Sequence, residues 1–254
     1  MLSKNKIKLI RSLEKKKYRN ETACFLAEGN KLVADLISFF ECECLIAKTS
    51  WLATQGDIRA KELILAEENE IEKASLLKTP QEVLAVFRQP QYVLDNEQLK
   101  NELTLVLDGI QDPGNLGTII RLADWFGIRR VICSLDTADV YNPKAIQATM
   151  GAIARVQVFY VALPDWLSQR KDMPVYGTFL EGNTVYTETL SPAGLIVMGN
   201  EGKGISPSIE KWITRKLYIP GYPPGTESSE SLNVAVATAI VCSEFRRRLF
   251  ISPS

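Results

Sequence analysis

Histidine is absent from all 254 residues of this chain, and that omission removes more chemistry than any residue present adds. The commonest general base is gone, and with it every Ser-His or Cys-His nucleophile pair and most zinc sites. Any catalysis falls to Arg, Lys, Glu, Asp, Ser, Tyr or backbone groups. Cysteine is sparse: Cys24, Cys42, Cys44, Cys133 and Cys242 form no CxxC pair and are odd in number. Buried free thiols in a reducing compartment are expected, not a disulfide framework. No apolar run reaches the length of a membrane span. The start, MLSKNKIKLIRSLEKKKYR, lacks the continuous apolar core of a signal peptide. These absences predict a cytoplasmic protein with no membrane partner and no metal.

Net charge is missing too, with 30 Lys and Arg against 30 Asp and Glu, which argues against a generic nucleic-acid coat. The distribution is uneven. Residues 1–20 hold eight Lys or Arg against Glu14 alone, Arg246-Arg247-Arg248 closes the C-terminal helix, and Glu62–Glu72 is acidic. Basic patches on a neutral body suit an RNA-binding enzyme that must also release its product. A solvated helix face explains the first cluster equally well.

Hydrophobic periodicity predicts an α/β protein in two parts, residues 1–95 and 96–254. The first opens with a basic amphipathic helix over Ile7–Arg19. Short strands follow at Cys24–Ala27, Cys44–Ala47, Leu63–Ala66 and Val83–Phe87, with a helix over Lys31–Phe40. The polar stretch Gln91–Asn101 reads as a linker. In the second part, strands at Leu103–Leu107, Arg130–Cys133, Val156–Val161, Val175–Phe179, Leu195–Met198 and Leu217–Ile219 alternate with helices. Such apolar strands imply a mostly parallel sheet covered on both faces. The helix over Ser231–Phe250 is apolar all round in its first half, which predicts burial by its own sheet and by a second subunit.

Three blocks in this second part place polar residues beside buried elements: DPGNLGTIIRLADWFG (112–127), MGNEGKGIS (198–206) and SLNVAVATAI (231–240). In the first, Asp112–Asn115 is turn chemistry, and Arg121 follows on an otherwise apolar helix. A guanidinium there needs an anion, for which phosphate suits its planar fork and Asp124 is the plain structural competitor. In the second, Gly199, Gly202 and Gly204 free the backbone after the carboxyl end of a strand, where open α/β sheets bind ligands. The spacing is neither G-x-G-x-x-G nor a Walker loop, which disfavours a dinucleotide-dependent oxidoreductase or a nucleotide triphosphate site. In the third, Ser231 is a natural N-cap, and Asn233 within an apolar first turn must bond to something specific.

The three blocks, in this order, resemble the motifs of the SpoU (TrmH-type) branch of the SPOUT RNA methyltransferases. N-L-G-T-I-I-R-L-A, G-N-E-G-K-G and S-L-N-V-A-V-A carry the likeness from Leu103 to the C-terminus. The front segment KKKYRNETACFLAEGNKLVADLI resembles the substrate-binding domain of that branch, similar in fold to ribosomal protein L30e. The resemblance implies methyl transfer from S-adenosylmethionine to a ribose 2'-hydroxyl, a SPOUT α/β domain with a deep trefoil knot, and an obligate homodimer. It implies catalytic roles for Arg121, Asn115, Glu201, Ser231 and Asn233. Cofactor contacts fall at Thr178, Gly199, Gly204, Ile219 and Leu232, and RNA contacts at Lys15, Lys16, Lys17, Arg19 and Lys31. The complete front domain favours 23S ribosomal RNA over tRNA; a tRNA 2'-O-methyltransferase and a non-catalytic ribosome-assembly factor are the alternatives. One departure stands out: GYPPGTESSE (221–230) is longer than the family's usual connection and stiffened by Pro223 and Pro224.

Overall fold

A computed structural model describes residues 2–223 and 231–251. From Pro224 to Glu230 the insert lies outside the described residues. The chain divides into two compact units, Met1–Gln91 with Asp139–Ala154, and Tyr92–Ala138 with Arg155–Ser254.

In the first unit, β1 (Cys24–Glu28), β2 (Cys42–Ala47), β3 (Leu63–Leu65) and β4 (Val83–Arg88) form one sheet in the order β1-β4-β2-β3. β4 runs antiparallel to both neighbours, while β2 and β3 are parallel. Residues 139–154, expected in the second part, belong to this unit because its side chains claim them. Tyr141 stacks at 5.0 Å from Phe25, Gln147 Nε2 donates to the Glu28 carbonyl at 2.7 Å, and Asp139 pairs with Arg19.

The single N-terminal helix expected over Ile7–Arg19 is two helices, Lys4–Ser12 and Lys16–Thr22. Arg19 accounts for the break. It is 1 % exposed, donates from Nη1 to the carbonyls of Leu13 and Glu14 at 2.7 Å each, and from Nε and Nη2 to Asp139 Oδ2 at 2.9 and 2.6 Å. Its fork thus satisfies turn carbonyls and neutralises a carboxylate at once. This corrects the expected RNA-contact role: the guanidinium is spent inside the fold. Arg19→Ala should cost about 3–5 kcal/mol in urea unfolding, the usual result of leaving a buried charge unpaired, and Arg19→Lys should not restore it.

The second unit is a seven-stranded sheet of β5 (Leu103–Leu107), β6 (Arg130–Ser134), β7 (Gln157–Val161), β8 (Val175–Phe179), β9 (Asn183–Thr184), β10 (Gly194–Met198) and β11 (Arg215–Tyr218). Their order is β7-β6-β5-β10-β8-β11-β9 and every pairing is parallel. β5, β6 and β10 are buried along their whole length, as the continuous apolar runs require. β9, two polar residues at the sheet edge, carries no hydrophobic signal and was not expected.

The stretch read as a linker is instead built into this unit. It holds a short helix, Asn96–Leu99, whose Leu99 is fully buried and whose Asn96 Oδ1 accepts from Arg170. The arginine cluster of the C-terminal helix (Val234–Ile251) is also structural. Arg246 Nε donates to the Phe126 carbonyl at 2.7 Å, Arg247 pairs with Glu244, and Arg248 donates to the Val185 and Tyr186 carbonyls. Within the single chain the first half of this helix keeps one side open, with Val236 49 % exposed. All five cysteines are free and buried.

Candidate active site

β5 and β10 are neighbours at the centre of the second sheet, paired from Leu103↔Gly194 to Leu107↔Met198. Their carboxyl ends therefore release the first two blocks side by side. Asp112 accepts from Asn115 N at 2.9 Å and caps a helix that begins at Pro113 and runs to Trp125. The expected turn Asp112–Asn115 is thus the first turn of that helix, with proline in the position where its missing N–H costs nothing.

The three blocks converge on Asn115. Its Nδ2 donates to Glu201 Oε1 at 3.0 Å, and its Oδ1 accepts from Asn233 Nδ2 at 3.0 Å. Glu201 Oε2 also accepts from Gln111 N at 3.4 Å. Asn233, not Ser231, is the cap of the C-terminal helix: its Oδ1 accepts from Ala235 N at 2.9 Å and Val236 N at 3.3 Å. That cap turns the Asn233 oxygen toward the backbone and leaves only its amine for Asn115, which in turn has only its own amine for the carboxylate. Each partner fixes the orientation of the next.

Arg121 does not join this network. Six residues beyond Asn115, it sits about 120° away round the helix, on an exposed stripe with Thr118 and Trp125. Its structural competitor is already engaged, because Asp124 accepts Arg155 Nε at 2.9 Å and Nη2 at 2.7 Å. Arg121 has no hydrogen bond or ion pair among the described residues.

Beside the network lies a cavity of about 550 Å³ whose walls include Thr178, Gly199, Gly204, Ile219 and Leu232, with Glu201 and Ser231. All five expected cofactor residues meet there. The loop is closed by paired hydrogen bonds of 2.9 Å between Asn200 and Gly204. A Cβ on Gly199 would stand 2.3 Å from Gly204 C and Ile205 N, so only glycine admits this turn. Asn200, absent from the sequence-based candidates, organises the loop: Oδ1 accepts from Gly202 N and Lys203 N at 3.0 Å each, and Nδ2 donates to the Gly109 carbonyl at 2.6 Å. An Asn two residues before Gly is turn chemistry that could have flagged it. In the first unit, Lys15, Lys16, Lys17 and Lys31 are exposed, and Lys17 approaches Glu21 at 3.8 Å.

The SpoU rRNA methylase family matches residues 102–243, and the MRM3-like substrate-binding domain matches residues 4–85. The chain belongs to the SpoU rRNA methylase family. It is 32 % identical over 246 residues to the Bacillus subtilis 23S rRNA (guanosine(2553)-2'-O)-methyltransferase RlmP, covering 95 % of this chain and 96 % of that one. It is 44 % identical to a solved TrmH-family protein from Porphyromonas gingivalis, with a TM-score of 0.88 over 98 % and 99 % of the two chains. An AdoMet-bound rRNA methyltransferase from Sinorhizobium meliloti is 30 % identical, with a TM-score of 0.84 over 98 % and 97 %. The SpoU resemblance of the three blocks, the parallel α/β sheet and the substrate-binding front domain are borne out.

Proposed function

We propose that this SpoU-family protein methylates a ribose 2'-hydroxyl of 23S ribosomal RNA, with S-adenosylmethionine as donor. The observation that carries this reading is the Glu201–Asn115–Asn233 chain, which joins all three motif blocks beside the Gly199–Gly204 cavity. The near full-length likeness to a 23S rRNA 2'-O-methyltransferase supports the substrate class.

The cavity fits the donor. Its volume lies within the usual range for small-molecule sites, about 300–1,000 Å³. The close turn at Gly199, where no side chain can stand, keeps backbone rather than side chains on one wall. Thr178, Gly199, Gly204, Ile219 and Leu232 would hold the donor's adenosyl part. When bound, S-adenosylmethionine supplies a sulfonium-activated methyl group, a displacement that disperses charge and calls for no metal. The protein must then align the hydroxyl and help remove its proton. An arginine guanidinium keeps its charge in proteins and does not serve as a plain general base. In this reading Arg121 grips the substrate phosphate and orients the 2'-hydroxyl, and the phosphate shares the proton. Glu201, Asn115 and Asn233 keep the three blocks in register, with Ser231 on the cavity wall.

The reading includes a homodimer, a deep trefoil knot within residues 96–254 and a cytoplasmic location. Dimerisation is supported by apolar side chains left bare on the Pro113–Trp125 helix and around the C-terminal one: Trp125 is 84 % exposed, with Val236 at 49 % and Leu232 at 48 %. Among the described residues no helix is long and apolar enough to cross a membrane. Lys15, Lys16, Lys17 and Lys31 supply RNA contacts from the first unit.

The substrate class is tested by incubating the purified protein with tritiated S-adenosylmethionine and, separately, unmodified 23S rRNA, 16S rRNA, bulk tRNA or no RNA. Label should enter 23S rRNA. Label in tRNA alone would move the protein to the tRNA-modifying alternative, and transfer to none of them would revive the non-catalytic one.

A further inference from the structure

Both ends of the loop from Asn200 to Ser206 are tied to one short segment, Asp108–Gly109, which continues β5. Asp108 is buried. Its Oδ2 accepts from Ser206 N at 2.7 Å, and its own N–H donates to the Met198 carbonyl at 2.9 Å. Gly109 receives the Asn200 side chain on its carbonyl and donates its N–H to Ser134 Oγ at 2.9 Å. Ser134 Oγ lies 2.9 Å from Thr137 Oγ1, which donates to the Leu107 carbonyl at 3.2 Å. Within three residues the same segment reaches Asp112, the cap of the helix that carries Asn115.

A buried carboxylate among apolar strand ends is stable only with a specific donor. Ser206 offers one: it flanks the start of the short helix Pro207–Glu210, where backbone amides lack intrahelical partners. Asp108 is not part of the cavity wall. We propose that Asp108 is a positioning residue for the methyl-donor site, acting through Ser206 N to hold Gly204–Ser206 in the shape that closes the cavity. The proposal rests on the methyl-transfer reading. It adds that the Asp108–Gly109 hub sets donor affinity while the network around Asn115, six residues beyond Gly109, serves the chemistry.

The test uses the full-length protein, with S-adenosylmethionine binding followed by calorimetry and methyl transfer by steady-state kinetics. Loss of one charge-assisted hydrogen bond to a preformed loop should weaken donor binding by about tenfold or more in Asp108→Ala. The Michaelis constant for the donor should rise in parallel, with kcat held within about twofold, the split expected when only donor binding is lost. Asp108→Asn keeps a carbonyl oxygen for Ser206 N–H and should recover most of the affinity. Ser206→Pro removes the same N–H at a residue whose φ of −67° already suits proline, and sets the ring Cδ where that N–H met Asp108 Oδ2. It should reproduce the loss, and combining it with Asp108→Ala should add nothing.

Wild-type-like donor affinity in Asp108→Ala would overturn the proposal, as would a fall in kcat at unchanged affinity. If Asp108→Ala does not fold, Ser206→Pro decides, and wild-type affinity in that variant overturns it. Failure of the wild-type protein to bind the donor in the same calorimeter would instead remove the methyl-transfer reading on which the proposal stands.

Discussion

Arg121→Ala should slow methyl transfer by roughly 10²–10³-fold while leaving the protein folded and its donor affinity intact. The side chain is exposed, and Asp124, the carboxylate best placed to hold it, is held by Arg155. Removing it therefore breaks no hydrogen bond or ion pair among the described residues, and unfolding midpoints should hardly move. The loss falls on the substrate side. A guanidinium that aligns the phosphate and hydroxyl in the transition state is worth roughly 10²–10³ in kcat, by analogy with a deleted oxyanion donor. Arg121→Lys should recover little, because an ammonium cannot present the planar fork. Single-turnover methylation with saturating donor measures this directly. Near-normal transfer in Arg121→Ala, alongside loss of activity in Asn233→Ala, would reassign the central role to the Asn115 network.

Gly199→Ala should have the opposite signature: donor binding is lost first. The added methyl carbon would stand 2.3 Å from two backbone atoms of the returning strand of the loop and 2.6 Å from a third, Gly204 O. No flexible side chain is there to yield, so the Asn200–Gly204 pairing must open. Overpacking of this kind costs about 1–3 kcal/mol, occasionally more. That cost, concentrated on one wall of the cavity, should weaken S-adenosylmethionine binding by roughly 10–100-fold. The rest of the sheet is untouched, so unit stability should fall only modestly. Calorimetry on the variant checks the affinity, and circular dichroism checks that the sheet persists. An unaltered donor affinity would mean that the loop does not line the donor site.

What could be read from residues alone depended on the range of the interactions that decide them. The strands of the parallel sheet were legible because β5, β6 and β10 are buried on both faces and so written in unbroken apolar runs. Of the five residues expected to hold the cofactor, Gly199, Gly204 and Leu232 stand in the blocks and Thr178 and Ile219 outside them, and all five line one cavity. The break in the N-terminal helix was not, since Arg19 takes its carboxylate from Asp139, 120 residues on. The same remoteness hid the true work of Asn115, whose partners lie 86 and 118 residues away. Local rules misplaced the cap by two residues: Ser231 looks the better N-cap, yet Asn233 caps the helix because its amine also has Asn115 to meet. The C-terminal basic run misled for a related reason. Arg246, Arg247 and Arg248 read as a patch, but each side chain is committed to a carbonyl or to Glu244. Composition cannot tell a solvated cation from one already spent.

The most direct measurement is the chemical position of the transferred methyl group. Unmodified 23S rRNA would be labelled with tritiated S-adenosylmethionine, digested to nucleosides, and the radioactive product identified. It should be a single 2'-O-methylated nucleoside, with the adjoining phosphodiester resistant to alkali before digestion. Label on a nucleobase, with the phosphodiester still cleaved by alkali, would contradict the assignment of this site to ribose.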